Sequence, residues 1–151
     1  MMAAVILTVG FMGLIQAVTM TSGMMDQARR QTLAAQILTH EIEKLRFKTW
    51  AEIQTLTATT PTAPTVDSQF SEAIATAGAT FNLSRAVSYV DPTTNANTAT
   101  DTGLREVTFT LTWTVATSRR DDSNNPVTFT YTRVNSAYFG KYGLNLSYQR
   151  S

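Results

Sequence analysis

The only histidine of the chain, His40, stands in the run THEIEKLR with Glu41 and Glu43 directly after it. Acid–base catalysis needs ionisable groups that converge on one reacting atom. Glu41 and Glu43 are two residues apart, so on a helix they point to different sides and do not form such a pair. Glu41 with Lys44, and Glu43 with Arg46, have instead the three-residue spacing of ion pairs on a solvated face. A nucleophile at Ser84 or Ser88 would depend on His40, since the chain holds no other histidine. There is no glycine-rich phosphate loop, no nucleophile elbow and no HExxH run. The expectation is a protein that is not an enzyme and carries no cofactor.

Metal chemistry is restricted in the same way. The chain has no cysteine and one histidine, which excludes thiolate sites and multi-histidine sites within one chain. Two oxygen-rich loops remain, one with Asp91, Asn95, Asn97 and Asp101, the other with Asp121, Asp122, Asn124 and Asn125. Calcium requires six to eight oxygens at ordered spacing. Neither loop has that spacing, and both read as ordinary polar loops. His40 reads as a solvated side chain on a charged helix.

Aromatic and basic residues are interleaved at Arg133, Tyr138, Phe139, Lys141 and Tyr142, a composition that can stack on single-stranded nucleic acid. The net charge of +1 supplies no electrostatic field for that partner. These residues read as core and subunit interface, with nucleic acid the less favoured partner.

The elements that must position these groups divide the 151 residues into four stretches. In residues 1–25 no charge occurs and Met1 to Ile15 is apolar on every side of a helical wheel, so this helix must be buried in lipid or among other helices. It lacks the basic flank of a secretory signal and reads as retained. In residues 26–56 the period becomes amphipathic, with Leu38, Ile42 and Leu45 at spacings of four and three. No proline precedes Pro61, so one helix from Met1 to Lys48 is expected, roughly 70 Å long. Thr49 and Glu52 have capping-box spacing for a fresh short helix through Trp50, Ile53 and Leu56.

Residues 57–78 read as a variable loop, threonine-rich around Pro61 and Pro64. Residues 79–151 have a period of two. Phe81, Leu83, Val87 and Tyr89 alternate with small polar residues, and Arg85 interrupts the apolar side. Val107, Phe109, Leu111, Trp113 and Val115 oppose a threonine face, and Val127, Phe129 and Tyr131 do the same after the turn SRRDDSNNP. Leu144 and Leu146 offer a further short strand. The uncovered helix stripe and the uncovered sheet face are best satisfied by each other. The fold expected is therefore α+β, a long N-terminal helix packed against an antiparallel β-sheet, with Leu38, Ile42, Leu45, Phe109, Leu111, Trp113 and Phe129 in the shared core.

This layout, and the wording of AAVILTVGFMGLIQA and ARRQTLAAQILTHEIEKLR, resemble the type IV pilin and pseudopilin family over about the first third of the chain. The resemblance implies a structural subunit of a type IV pilus-like filament or a type II secretion pseudopilus. Its partners would be copies of itself, and other pilins, packed through the apolar helix. Val5, Ile6, Leu7, Gly10, Phe11, Met12, Gly13, Leu14 and Ile15 would form the filament core. It also implies an inner-membrane stage before assembly and a place in an extracellular, cell-surface filament of a bacterium. The family's basic leader, cleavage site and early glutamate do not precede Met1, so by this comparison the chain starts a few residues late. Gly10 and Gly13 each weaken a helix by about 1 kcal/mol relative to alanine. They serve close helix packing or, by the resemblance, local melting inside a filament. The rival reading is a membrane-tethered, monomeric β-domain that binds a ligand through its loops.

Overall fold

The computed structural model describes residues 2–56 and 62–142. One helix, α1 (Met2–Arg46), is followed by the short α2 (Trp50–Gln54), a 3-10 turn (Ser68–Phe70) and α3 (Ser71–Ala77). Four strands complete the chain: β1 (Thr80–Val90), β2 (Asn97–Thr98), β3 (Leu104–Arg120) and β4 (Pro126–Gly140). They form one antiparallel sheet in the order β2-β1-β3-β4. The protein is thus α+β, with an N-terminal helix against a four-stranded antiparallel sheet.

The helix is continuous because nothing in its first 46 residues removes a backbone donor or forces a positive φ. At its end the Glu52 carboxylate reaches back to the Thr49 amide at 2.8 Å, and the Thr49 hydroxyl donates to the same oxygen at 2.9 Å. That contact starts α2 with a bound amide where a free one would otherwise face solvent.

The stretch expected as loop between residues 57 and 78 also holds order. Asp67 caps the 3-10 turn by accepting from the Gln69 amide at 3.2 Å. Gly78, at φ 58°, ends α3 in the left-handed conformation that a side chain resists. Both signals are local, and both are legible in DSQFSEAIATAG.

The core is the contact between the second half of α1 and the odd-numbered face of β1 and β3. Leu33, Ala34, Ile37, Leu38, Ile42 and Leu45 of α1 are buried against Phe81, Leu83, Val87, Val107, Phe109, Leu111 and Trp113, with Ile53 of α2 beside them. Strand pairing puts Phe81, Trp113 and Tyr131 in one row. Their rings stack in sequence, with centroids 5.6 Å apart at each step. Each large side chain so enclosed contributes roughly 1.5–3 kcal/mol.

Three expectations need correction. Phe129 is on the correct face but 54% exposed. It pairs with Val115, beyond the buried rows, where the hairpin outruns the helix that should cover it. Glu41, expected on a solvated face, is 7% exposed. The segment ending at Asp67 lies over this side of α1 and bonds both His40 and Lys44.

The third correction concerns the membrane. Among the described residues no helix is long and apolar enough to cross a membrane. The expected inner-membrane stage, and the cell-surface location built on it, are overturned by this finding. Residues 57–61, and the strand expected at Leu144 and Leu146, lie outside the described residues.

Candidate assembly interface

The described side chains of α1 from Leu7 to Asp26 are exposed. Leu7 is 72% exposed, Phe11 63%, Met12 67%, Leu14 65% and Ile15 55%, and Val18, Met24 and Met25 continue the series. Val5 and Ile6 belong to α1, with side chains outside the described set. α1 runs unbroken through Gly10 and Gly13, and a Cβ added at either would meet nothing within 4 Å. In the single chain the close-packing role of these glycines has no partner to act on.

At about 100° per residue, Leu7, Phe11, Leu14, Val18, Thr21 and Met25 fall on one line at spacings of four and three, the seam of a heptad. Arg29, Thr32, Gln36 and Glu43 extend the same line as polar residues. Ala34, Leu38, Glu41 and Leu45, the stripe buried against the sheet, lie roughly half a turn round the helix. One apolar line therefore faces away from the side that carries the β-sheet, while Met12, Ile15 and Met24 are exposed on the other sides of the helix.

Beside the seam, α1 and α3 enclose a groove of about 870 Å³ lined by Met25, Arg29, Leu33, Glu72, Thr76 and Ala77 among others. Arg30 Nε donates to the Ala77 carbonyl at 2.8 Å, placing a cation at the negative end of α3. Asp26 and Arg29 stand 3.9 Å apart at the rim.

The remaining candidate groups are engaged elsewhere. His40 Nε2 lies 3.4 Å from Asp67 Oδ2, its ring is edge-on to Phe70, and Gln69 Nε2 reaches it at 2.8 Å. Lys44 bridges Asp67 at 3.3 Å and Glu41 at 3.4 Å. Partial burial works against the Lys44 ammonium, but the bonds and charges of Asp67 and Glu41 outweigh it and raise its pKa above the ordinary lysine value. The Gln69 amide, then Lys44 and His40, hold the Asp67 carboxyl below the usual carboxylate range. His40 is thus a clasp between α1 and the segment before α3, not a free solvated ring. Ser84 donates to the Thr110 carbonyl at 3.3 Å. Ser84 and Ser88 leave the sheet on the even-numbered face, opposite the helix, so the geometry separates them from His40.

The polar loops bind themselves. Asp91 accepts from the Thr93 amide at 2.8 Å and from its hydroxyl, and these bonds lower its pKa, the hydroxyl first. Asp121 accepts from the amides of Ser123 and Asn125. Among the described residues no group of three histidine, aspartate or glutamate side chains is placed to hold a metal. The aromatic–basic set is split by strand parity: Arg133 and Phe139 face the helix side, Tyr138 the other. Lys141 lies 5.3 Å over the Tyr142 ring, past the end of the sheet.

One organising residue has no counterpart in the sequence reading. Arg105 is 4% exposed. Its Nη1 donates to the carbonyls of Ile53, Gln54 and Leu56 at 3.0–3.2 Å, and its Nη2 to Asp101 at 2.7 Å. The guanidinium also lies against the rings of Tyr89 and Trp50, at 4.9 and 5.7 Å. It closes the carboxyl end of α2 and ties that helix to the sheet. Only its placement just before the alternating run Val107 to Val115 hinted that it shares the core face.

Compared with known proteins, the chain matches no protein-family model, no curated protein and no solved structure.

Proposed function

We propose that this chain is a structural subunit of a helical filament of the type IV pilin and pseudopilin kind, held together by α1. The observation that carries the reading is the exposed apolar surface of α1 between Leu7 and Met25, which includes a line turned away from the sheet. A helix that buries one stripe on its own sheet and turns a second, apolar line outward is suited to packing beside copies of itself, with sheets outside and helices within. The exposed side chains supply the driving force, each contributing roughly 1.5–3 kcal/mol when covered by neighbours.

Electron microscopy and sedimentation of the purified full chain test this. The chain is expected to form regular fibres on removal of detergent. Phe11→Glu and Leu14→Lys are expected to stop fibre formation while leaving the thermal transition of the α+β domain unchanged. Fibres that form equally well from both variants would defeat the proposal.

A further inference from the structure

The two edges of the sheet are unequal. On the β1 side, β2 pairs with Tyr89 and Val90, and Thr62 exchanges both backbone hydrogen bonds with Arg85 at 2.9 and 2.8 Å. That edge is occupied in part by the chain itself, at Arg85, Tyr89 and Val90. On the other side β4 runs from Pro126 to Gly140, and among the described residues no backbone partner takes its outer edge. Residues 132 to 136 are exposed in unbroken succession. Phe129, Val134 and Tyr138 are 54%, 56% and 41% exposed.

Long strand edges are usually guarded by charges, by prolines or by bulges. β4 carries one charge, Arg133, and its one proline is its first residue. The irregularity in the β3–β4 ladder falls between Ala116 and Arg120, away from the middle of β4. We propose that the β4 edge is a self-association site, at which β4 of a second copy adds antiparallel to make one sheet across two chains.

A second copy is the occupant because the exposed β4 edge is complementary to itself in an antiparallel register. Pairing of β4 with β4 closes on a two-fold axis, whereas head-to-tail pairing on β1 would meet the contacts already made there by β2 and Thr62. Charge then selects the register. An axis at Arg133 would set two guanidinium groups directly opposite, which is destabilising. Moving the axis to Val134 places each Arg133 across from Asn135 of the second copy and brings the two exposed valines together. The same register sets Phe129 across from Phe139 of the second copy, covering the aromatic ring that the chain's own helix fails to reach. From residue 128 to residue 140 the shared ladder is about 40 Å long. This contact uses none of the α1 seam and does not depend on the filament reading.

The chain has no cysteine, so a single introduced thiol reports the contact directly. Full-length Val134→Cys, kept in non-ionic detergent to disperse α1, is expected to oxidise to a disulfide-linked dimer, since facing strand positions lie about 4.5–5.5 Å apart. Thr76→Cys, exposed on α3, is the control and is expected to remain monomeric. In sedimentation velocity, Val134→Lys should weaken the dimer about tenfold or more, while fibre formation through α1 persists. Cross-linking at residue 134 no better than at residue 76, or an unchanged dimer in Val134→Lys, would overturn the proposal. So would a full chain that dimerises only after residues 143–151 are removed, an outcome that gives the edge to the chain's own end.

Discussion

Arg105 Nη2 lies 2.7 Å from Asp101 Oδ2, while Nη1 of the same guanidinium binds three carbonyls about fifty residues away at the end of α2. The buried cation is held by one carboxylate and by the orphan oxygens of a helix terminus. Losing it leaves several polar groups without partners at once. Arg105→Met is expected to destabilise the fold by about 3 kcal/mol. Asp101→Asn should cost less, because the Asp101 side chain is 35% exposed and water replaces part of its role. Urea unfolding followed by circular dichroism measures both.

The same pair makes the fold acid-sensitive. The Asp101 carboxyl is held below the ordinary carboxylate value, first by Arg105 and then by the Gly103 amide. Asp67, Asp91 and Glu52 shift in the same direction, each through hydrogen bonds to its acceptor oxygens. A depressed native pKa stabilises the fold fully above the unfolded value near 4, and that contribution is lost as pH falls through the native value. Stability is therefore expected to fall in acid, with Asp101→Asn losing less than wild type over the same window. A pH series of urea midpoints shows whether the two curves converge. Lys44, whose pKa is raised, acts oppositely: its contribution is present below the unfolded lysine value and is lost as pH rises through the native one.

Two phenylalanines on the same sheet face should respond differently. Phe109 is 1% exposed and Phe129 54%. Phe109→Ala is expected to cost about 3–5 kcal/mol. Phe129→Thr in the monomer should change stability by no more than about 0.5 kcal/mol. Thermal unfolding in dilute detergent distinguishes them, and equal losses would mean that α1 reaches further along the hairpin than its contacts indicate.

Gly78 ends α3 at φ 58°, and a Cβ there would meet nothing within 4 Å. The penalty for a side chain is therefore conformational and not steric. Gly78→Ala should cost about 1–2 kcal/mol, with Gly78→Asn milder because asparagine tolerates this region. Hydrogen exchange should quicken across Ser71–Ala77 in the alanine variant and leave β3 unaffected.

Thr21 is the polar gap in the apolar seam between Val18 and Met25, its hydroxyl bonded to the Ala17 carbonyl at 2.8 Å. Thr21→Leu completes the heptad line. If the seam joins copies, about 1.5–3 kcal/mol of added burial per subunit lowers the critical concentration for fibres by roughly tenfold or more. Pelleting assays across a dilution series read this directly.

Much of the architecture is legible in one dimension because its causes are local. The shift from all-round apolar to one-stripe periodicity in α1, the Thr49–Glu52 cap and the alternation from Val107 to Trp113 each depend on neighbours within a few residues. Gly78 and Asp67 carry equally local signals that mark α3. What tertiary structure decided depends on distance. The exposure of Phe129 follows from where α1 ends relative to the hairpin, which strand parity does not encode. The burial of Glu41 follows from a segment more than twenty residues downstream folding over α1. The role of Arg105 exists only once α2 and β3 are brought together. The outward direction of the Leu7–Met25 seam is written in the helical period, but its meaning required knowing which side of α1 the sheet takes.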